Sequence, residues 1–330
     1  MRRLSFVAPF VLALVWSTAA SAADHVVRVS PDGALTFSPQ ILTIRIGDTV
    51  TWVNPNTVSA HNILADDASF TSGAAAVGPW SYSRTFTSPG TFGYYCAPHG
   101  VPGTGQSGTI VVLDAFEVAH GSDVVDDLNG VADRYRIGQR PFASYEMVAD
   151  VVAGNPQLQL DRTNASNTVL QTGAPVTATI DHSQSVRWQN TSATAEDTQR
   201  IRVSCSSNCS GNDRYRLRAY ETTYAVPRFN NSGTQVTVLI IQNPTDAAVT
   251  GTIYFWNPAG TLLNSGGTVF NLAARAATVL QTATIAGVGG QSGTITITHT
   301  ARYGELAAKA VALEPATGFS FDTLAIWRPR

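Results

Sequence analysis

Short alternating runs bounded by turn residues recur from Val26 to Ala312, and stretches of Leu, Glu, Lys and Ala with helical period are missing. A chain patterned this way buries its apolar faces by pairing strands into sheets, which predicts an all-β protein. Its 330 residues leave room for two or three domains. Hydrophobic residues make up 44% and charged residues 13%, too apolar for a disordered chain and too interrupted for a polytopic membrane protein. A net charge of −2, with no run of cationic residues and Lys309 as the sole lysine, points away from nucleic acid and anionic lipid as partners.

The first 22 residues are of another kind. Arg2 and Arg3 precede an apolar run from Phe6 to Trp16, and Ala20-Ser21-Ala22 supplies a small-x-small cleavage pattern. The run is short for a membrane span, so residues 1–22 are expected to be a cleaved signal peptide. Phe6 is displaced from its place in a twin-arginine signal, which favours general secretion. The mature chain is therefore expected to be exported, not membrane-spanning, and periplasmic or extracellular in a bacterium. In such a compartment Cys205 and Cys209 are expected to close a local disulfide. Cys96 is left as the odd cysteine, which asks for an explanation.

Three sandwiches are expected. In the first, residues 23–115, strands are predicted at Val26–Val29, Leu42–Ile44, Thr49–Val53, Ser81–Phe86, Gly93–Tyr95 and Thr109–Leu113. Pro31-Asp32-Gly33, Gly47-Asp48, Pro55-Asn56 and Ser88-Pro89-Gly90 supply turns between them, as in a Greek-key β-sandwich. The second unit, 117–227, opens with an acidic loop and carries Asp133-Arg-Tyr-Arg-Ile137, echoed by Asp213-Arg-Tyr-Arg-Leu217. The echo predicts two strands of one sandwich, since no fixed repeat period recurs. This unit loosely resembles the pre-peptidase C-terminal modules of secreted bacterial proteins. The third unit, 229–330, reads as immunoglobulin-like, with turns at Asn243-Pro244 and Asn257-Pro258.

The odd cysteine lies in Gly93-Tyr94-Tyr95-Cys96-Ala97-Pro98-His99-Gly100. A Cys-x-x-His pair alone is a weak signal. About 35 residues upstream, however, Ala60-His61-Asn62 follows the strand Gly47-Asp48-Thr49-Val50-Thr51-Trp52-Val53-Asn54. Two imidazoles and one thiolate are the donors that a mononuclear electron-transfer copper needs. The thiolate suits Cu(I), the imidazoles tolerate Cu(II), and a trigonal plane is acceptable to both. Pro98 restricts the loop backbone, and the neighbouring glycines let it turn tightly.

On these residues the segment from about 25 to 114 resembles a plastocyanin-like cupredoxin, the type-1 blue copper domain. The resemblance implies a Greek-key sandwich holding one copper through His61, Cys96 and His99, with electrons leaving by the exposed edge of His99. It departs at one place. Where the family commonly has an axial methionine stands Gln106, seven residues after His99, and Met147 is the only methionine after the signal segment. Stellacyanin-like relatives use glutamine axially, so the Gln106 amide oxygen is expected as fourth ligand, in preference to a role in merely bonding the loop. A harder axial oxygen favours Cu(II) and a lower potential.

Other candidates are weaker. A cut after Ala22 would expose Ala23-Asp24-His25, which can wrap Cu(II) in four nitrogens, although a plain start to the first strand is favoured. His120, His182 and His299 lack ligand spacing and are expected to be surface or strand residues. Asp123, Asp126, Asp127, Asn129 and Asp133 are expected to form a solvated acidic loop sooner than a calcium site. Arg214, Arg216 and Arg218 read as a solvated strand face. Six histidines without a His-x-His pair argue against a multicopper oxidase or nitrite reductase. The expected function is an exported one-electron carrier serving unidentified redox partner proteins, and not an enzyme. The alternatives are a surface-binding protein with a sensory or structural copper domain, touching the cell envelope through residues 117–330, or a copper-sequestration protein.

Overall fold

The computed structural model describes residues 23–128, 132–176 and 182–328. The expected signal peptide and Asn129 lie outside them. Regular structure among these residues is almost entirely β, with two single-turn 3₁₀ segments. Among the described residues no helix is long and apolar enough to cross a membrane.

The first sandwich comprises β1 (Asp24–Val29), β2 (Phe37–Ser38), β3 (Ile41–Arg45), β4 (Thr49–Asn54), β5 (Leu64–Ala65), β6 (Trp80–Thr85), β7 (Gly90–Val101) and β8 (Thr104–Leu113). They form sheets in the orders β2-β1-β4-β6 and β3-β8-β7-β5. β4 shows why the alternation works. Val50, Trp52 and Asn54 turn inward, while Thr49 and Thr51 bond across to Thr85 and Ser83, each at 2.8 Å. Trp52 packs among Tyr94, Phe70 and Tyr82, and Cys96 belongs to the same buried cluster. β3 runs parallel to β8, pairing Ile41 with Thr109 and Arg45 with Leu113. Gln106 and Leu113 therefore mark opposite poles of the sandwich, roughly 23 Å apart along β8.

The second unit packs two five-stranded sheets around Tyr135, Tyr145, Met147, Trp188 and Tyr215. The echoed phrases do fall in its facing sheets, as strands Asp133–Ile137 and Arg214–Glu221, with the Tyr135 and Tyr215 hydroxyls 2.6 Å apart across the core. The expected acidic loop needs correction. Asp123–Asp127 is a strand paired with Arg214–Glu221, and its carboxylates are answered by arginines. Asp123 meets Arg216, Asp127 meets Arg214, and Asp126 meets Arg45 of the first sandwich. Asp123 and Asp127 thus pair outward with separate arginines, while Asp126 and the buried Asp133 share Arg45. Cys205 and Cys209 form the expected disulfide.

In the third unit a five-stranded sheet faces a four-stranded one over Phe229, Ile253, Phe255 and Ile297. Its strand Tyr224–Asn230 straddles the border expected at 227–229 and pairs with Ser292–His299. Trp327 stacks between Tyr224 and Tyr303, at 4.4 and 4.3 Å. The second and third units are stitched together by polar contacts. The Tyr303 amide donates to Glu146 at 2.7 Å, Arg187 to the Thr300 carbonyl at 2.9 Å, and Arg328 pairs with Glu221 at 2.8 Å.

Candidate metal centre

The register of one hairpin builds the site. β7 pairs Tyr95 with Ser107 and next pairs Gly100 with Gly105, so Cys96-Ala97-Pro98-His99 arches out opposite Gln106 alone. Gly105 sits at φ +72°, and a Cβ there would lie 2.6 Å from the His99 carbonyl oxygen. A Cβ on Gly100 would lie 2.9 Å from the Gln106 backbone. Glycine at both positions is thus a requirement of the arch. His61 arrives from the other sheet, just past β4, held by reciprocal backbone bonds of 3.0 Å with Ala76.

The donor atoms of His61, Cys96 and His99 all lie within 4.8 Å of one another. The Cys96 sulfur is 3.6 Å from His61 Nδ1 and 3.5 Å from His99 Nδ1. Gln106 Oε1 accepts from His61 Nδ1 at 3.0 Å, while its Nε2 donates to Ser30 Oγ and the Thr36 carbonyl, each at 3.2 Å. Those two acceptors hold the amide with its oxygen toward the donor cluster. His61, Cys96 and Gln106 are fully buried, and His99 alone reaches the surface. Burial lowers the His61 pKa, partly opposed by its bond to Gln106, and His99 lowers it further. Burial raises the Cys96 pKa, partly offset by the amides of Asn62 and His99. The metal-free pocket thus holds a neutral imidazole and a protonated thiol, ready to exchange that proton for a soft cation. One sulfur, two imidazole nitrogens and a nearby amide oxygen, screened from water, fit copper.

Sequence reasoning passed over the groups that hold these ligands. The Asn62 side chain, beside His61, accepts from the Ala97 amide at 2.9 Å and ties the arch to the first histidine. Asn56 Nδ2 lies 3.4 Å from His61 Nε2, and Ser59 Oγ lies 3.3 Å from His99 Nε2. Tight spacing after Pro55 was a turn signal, and nothing in it named the ring it would touch. The other histidines stand apart. His25 Nε2 is bound to Asp48 at 2.8 Å, and Ala23 and Asp24 run alongside β4 at the start of the first strand. His120 Nδ1 accepts from the Glu221 amide at 2.9 Å. His182 precedes a strand of the second unit. His299 is a strand residue as expected, but it is fully buried, which pushes its pKa down to about 4.

Residues 24–113 match the model of copper-binding proteins of the plastocyanin/azurin family. Plastocyanin of Scenedesmus fuscus is 43% identical over 100 residues, covering 27% of this chain and 99% of that protein. The chloroplastic plastocyanin of Chlamydomonas reinhardtii is 38% identical over 122 residues, covering 34% of this chain and 82% of that protein. Among solved structures, an amicyanin mutant in its Cu(I) form shares 31% identity and covers 28% of this chain and 83% of its own, with a TM-score of 0.23. Through this segment the chain belongs to the plastocyanin/azurin family of copper-binding proteins. Copper is the cofactor of its first sandwich, and the family match ends at residue 113.

Proposed function

We propose that the chain is an exported one-electron carrier in which His61, Cys96 and His99 would hold a copper, with Gln106 Oε1 as a fourth donor. Bound copper supplies a one-electron Cu(I)/Cu(II) couple. Cys96 contributes a thiolate after losing its proton, and the two Nδ1 atoms facing its sulfur contribute neutral imidazoles. Anchored by Ser30 and Thr36, Gln106 offers oxygen on the fourth side. The His99 edge is the ligand surface open to a partner protein. The single observation carrying this reading is the convergence of three donor atoms within 4.8 Å in a plastocyanin-family sandwich. Similarity to plastocyanins over 99% of one relative supports electron transfer rather than catalysis.

The placement of the other units supports it too. The second unit grips the pole bearing Arg45 and Asp114, away from the arch, and leaves the His99 edge accessible. Residues 117–227 and 229–330 act in this proposal as two sandwich domains that hold the carrier in place outside the cytoplasm. One observation favours the alternative of a surface-binding protein. The edge strand Phe319–Leu324 exposes Phe319, Phe321 and Leu324, each more than 60% accessible.

The test is to load the full mature chain with Cu(II) and record absorption and electron paramagnetic resonance spectra beside Cys96→Ser and Gln106→Met. An intense thiolate-to-copper band, lost in Cys96→Ser and shifted in Gln106→Met, is expected. An unchanged spectrum in Gln106→Met would remove the axial assignment. A colourless wild type with a tetragonal copper signal would end the carrier reading.

A further inference from the structure

The loop after β4 reaches the outward face of the exposed ligand. Ser59 Oγ lies 3.3 Å from His99 Nε2, the nitrogen turned away from Cys96. The hydroxyl does not hang from a loose tip. Asn54 Oδ1 accepts from the Asn56 amide at 3.0 Å, and Asn56 Oδ1 accepts from the amides of Val58 at 2.8 Å and Ser59 at 3.1 Å. Behind this turn the Gly78 amide donates to the Asn56 carbonyl at 2.6 Å, and a Cβ on Gly78 would overlap the carbonyl oxygens of Asn54 and Asn56. In front of it lies a groove of about 500 Å³ lined by Ser30, Asp32, Gly33 and residues 55–59. Ser59 therefore stands between that groove and the imidazole.

We propose that Ser59 is a positioning residue for His99, accepting the Nε2–H and locking the ring with Nδ1 toward Cys96. The inference deepens the copper reading above and rests on it. A hydroxyl suits the task because it can accept one proton from the ring while donating its own to water in the groove. The outward nitrogen of a ligating histidine needs such a partner to fix the tautomer and the ring orientation. Here the partner is a side chain on a braced turn, so the ring keeps its place when the charge at the site changes. Rigid ligands keep the reorganisation barrier low, and His99 is the ligand whose exposed edge leaves it least supported by packing.

The test uses the full chain with Ser59→Ala and Ser59→Thr. In the metal-free protein, nitrogen-15 NMR of the His99 ring should show the Nε2–H tautomer in the wild type and in Ser59→Thr, and a mixture in Ser59→Ala. Loaded with copper, Ser59→Ala should keep the thiolate-to-copper band but exchange electrons on the order of tenfold more slowly, with Ser59→Thr restoring the rate. A tautomer and an exchange rate in Ser59→Ala equal to wild type would overturn the proposal while leaving the copper reading intact. A wild type without the band would overturn both.

Discussion

The two poles of the first sandwich are built from opposite electrostatic materials. At the copper pole burial disfavours charge: it lowers the His61 pKa and raises that of Cys96, and hydrogen bonds orient the groups. At the far pole charges dominate. Arg45 meets Asp133 at 2.5 Å as well as Asp126, and lies over the Phe116 ring at 4.6 Å. Beside it Asp114 takes Arg200 at 2.8 Å and Arg134 at 3.3 Å. A buried thiol can stay protonated until a soft cation takes the place of its proton. A junction between two folded units can use ion pairs, because its partners never leave. The comparison teaches that one sandwich can dock a neighbour firmly and still keep its redox end free, because strands about 23 Å long separate the two tasks.

The largest expected effect comes from removing the junction's cation. Arg45→Ala leaves Asp133, 2% exposed, buried without its counter-ion, and should destabilise the chain by about 3 kcal/mol in denaturant unfolding. The copper spectrum should not move, and a shifted thiolate band would show that the poles are coupled. Next comes pH. Burial, outweighing Arg45, holds Asp133 up at about 6 from an ordinary 3.8. The folded state therefore binds a proton that the unfolded state lacks between about pH 4 and 6, and stability should fall as pH rises through that window. Asp133→Asn should flatten the slope by up to about 3 kcal/mol over those two pH units, and an unchanged slope would assign it elsewhere.

A smaller effect should strike the copper pole alone. Gly105→Ala forces a side chain to φ +72° against the His99 carbonyl, and should cost about 1–3 kcal/mol and broaden the copper signals without altering the junction. Smallest of all, Arg134→Ala removes a 3.3 Å pair that is about a quarter exposed on each side, and should change stability by less than about 1 kcal/mol. A larger loss would mean that the junction acts as one network instead of a central clamp with a soft rim.

Much of this was legible in the chain. Alternation in Thr49–Asn54 and turn residues at Gly47-Asp48 predicted the strands, because period-two burial is a local property. The candidate donor cluster was legible because the arch contributes Cys96 and His99 from one short loop with glycines beside it. Ser59 was not legible, since a serine in a turn has no sequence mark for the ring 40 residues later that it faces. Nor was the fate of the acidic run. Asp126 and Asp133 resembled a solvated loop because their partner, Arg45, lies more than 80 residues earlier in the other sandwich.

The division has a physical basis. Strand period, turn chemistry and the donor preference of a soft metal are short-range matters, and a linear chain carries them in the spacing of neighbouring residues. The meeting of Arg45 with Asp133, the fixing of Gln106 by Ser30 and Thr36, and the burial of His299 depend on which strands pack together. Those pairings are set by the burial of whole sheets, with local signals agreeing on one arrangement, and they exist only once the sandwiches have closed.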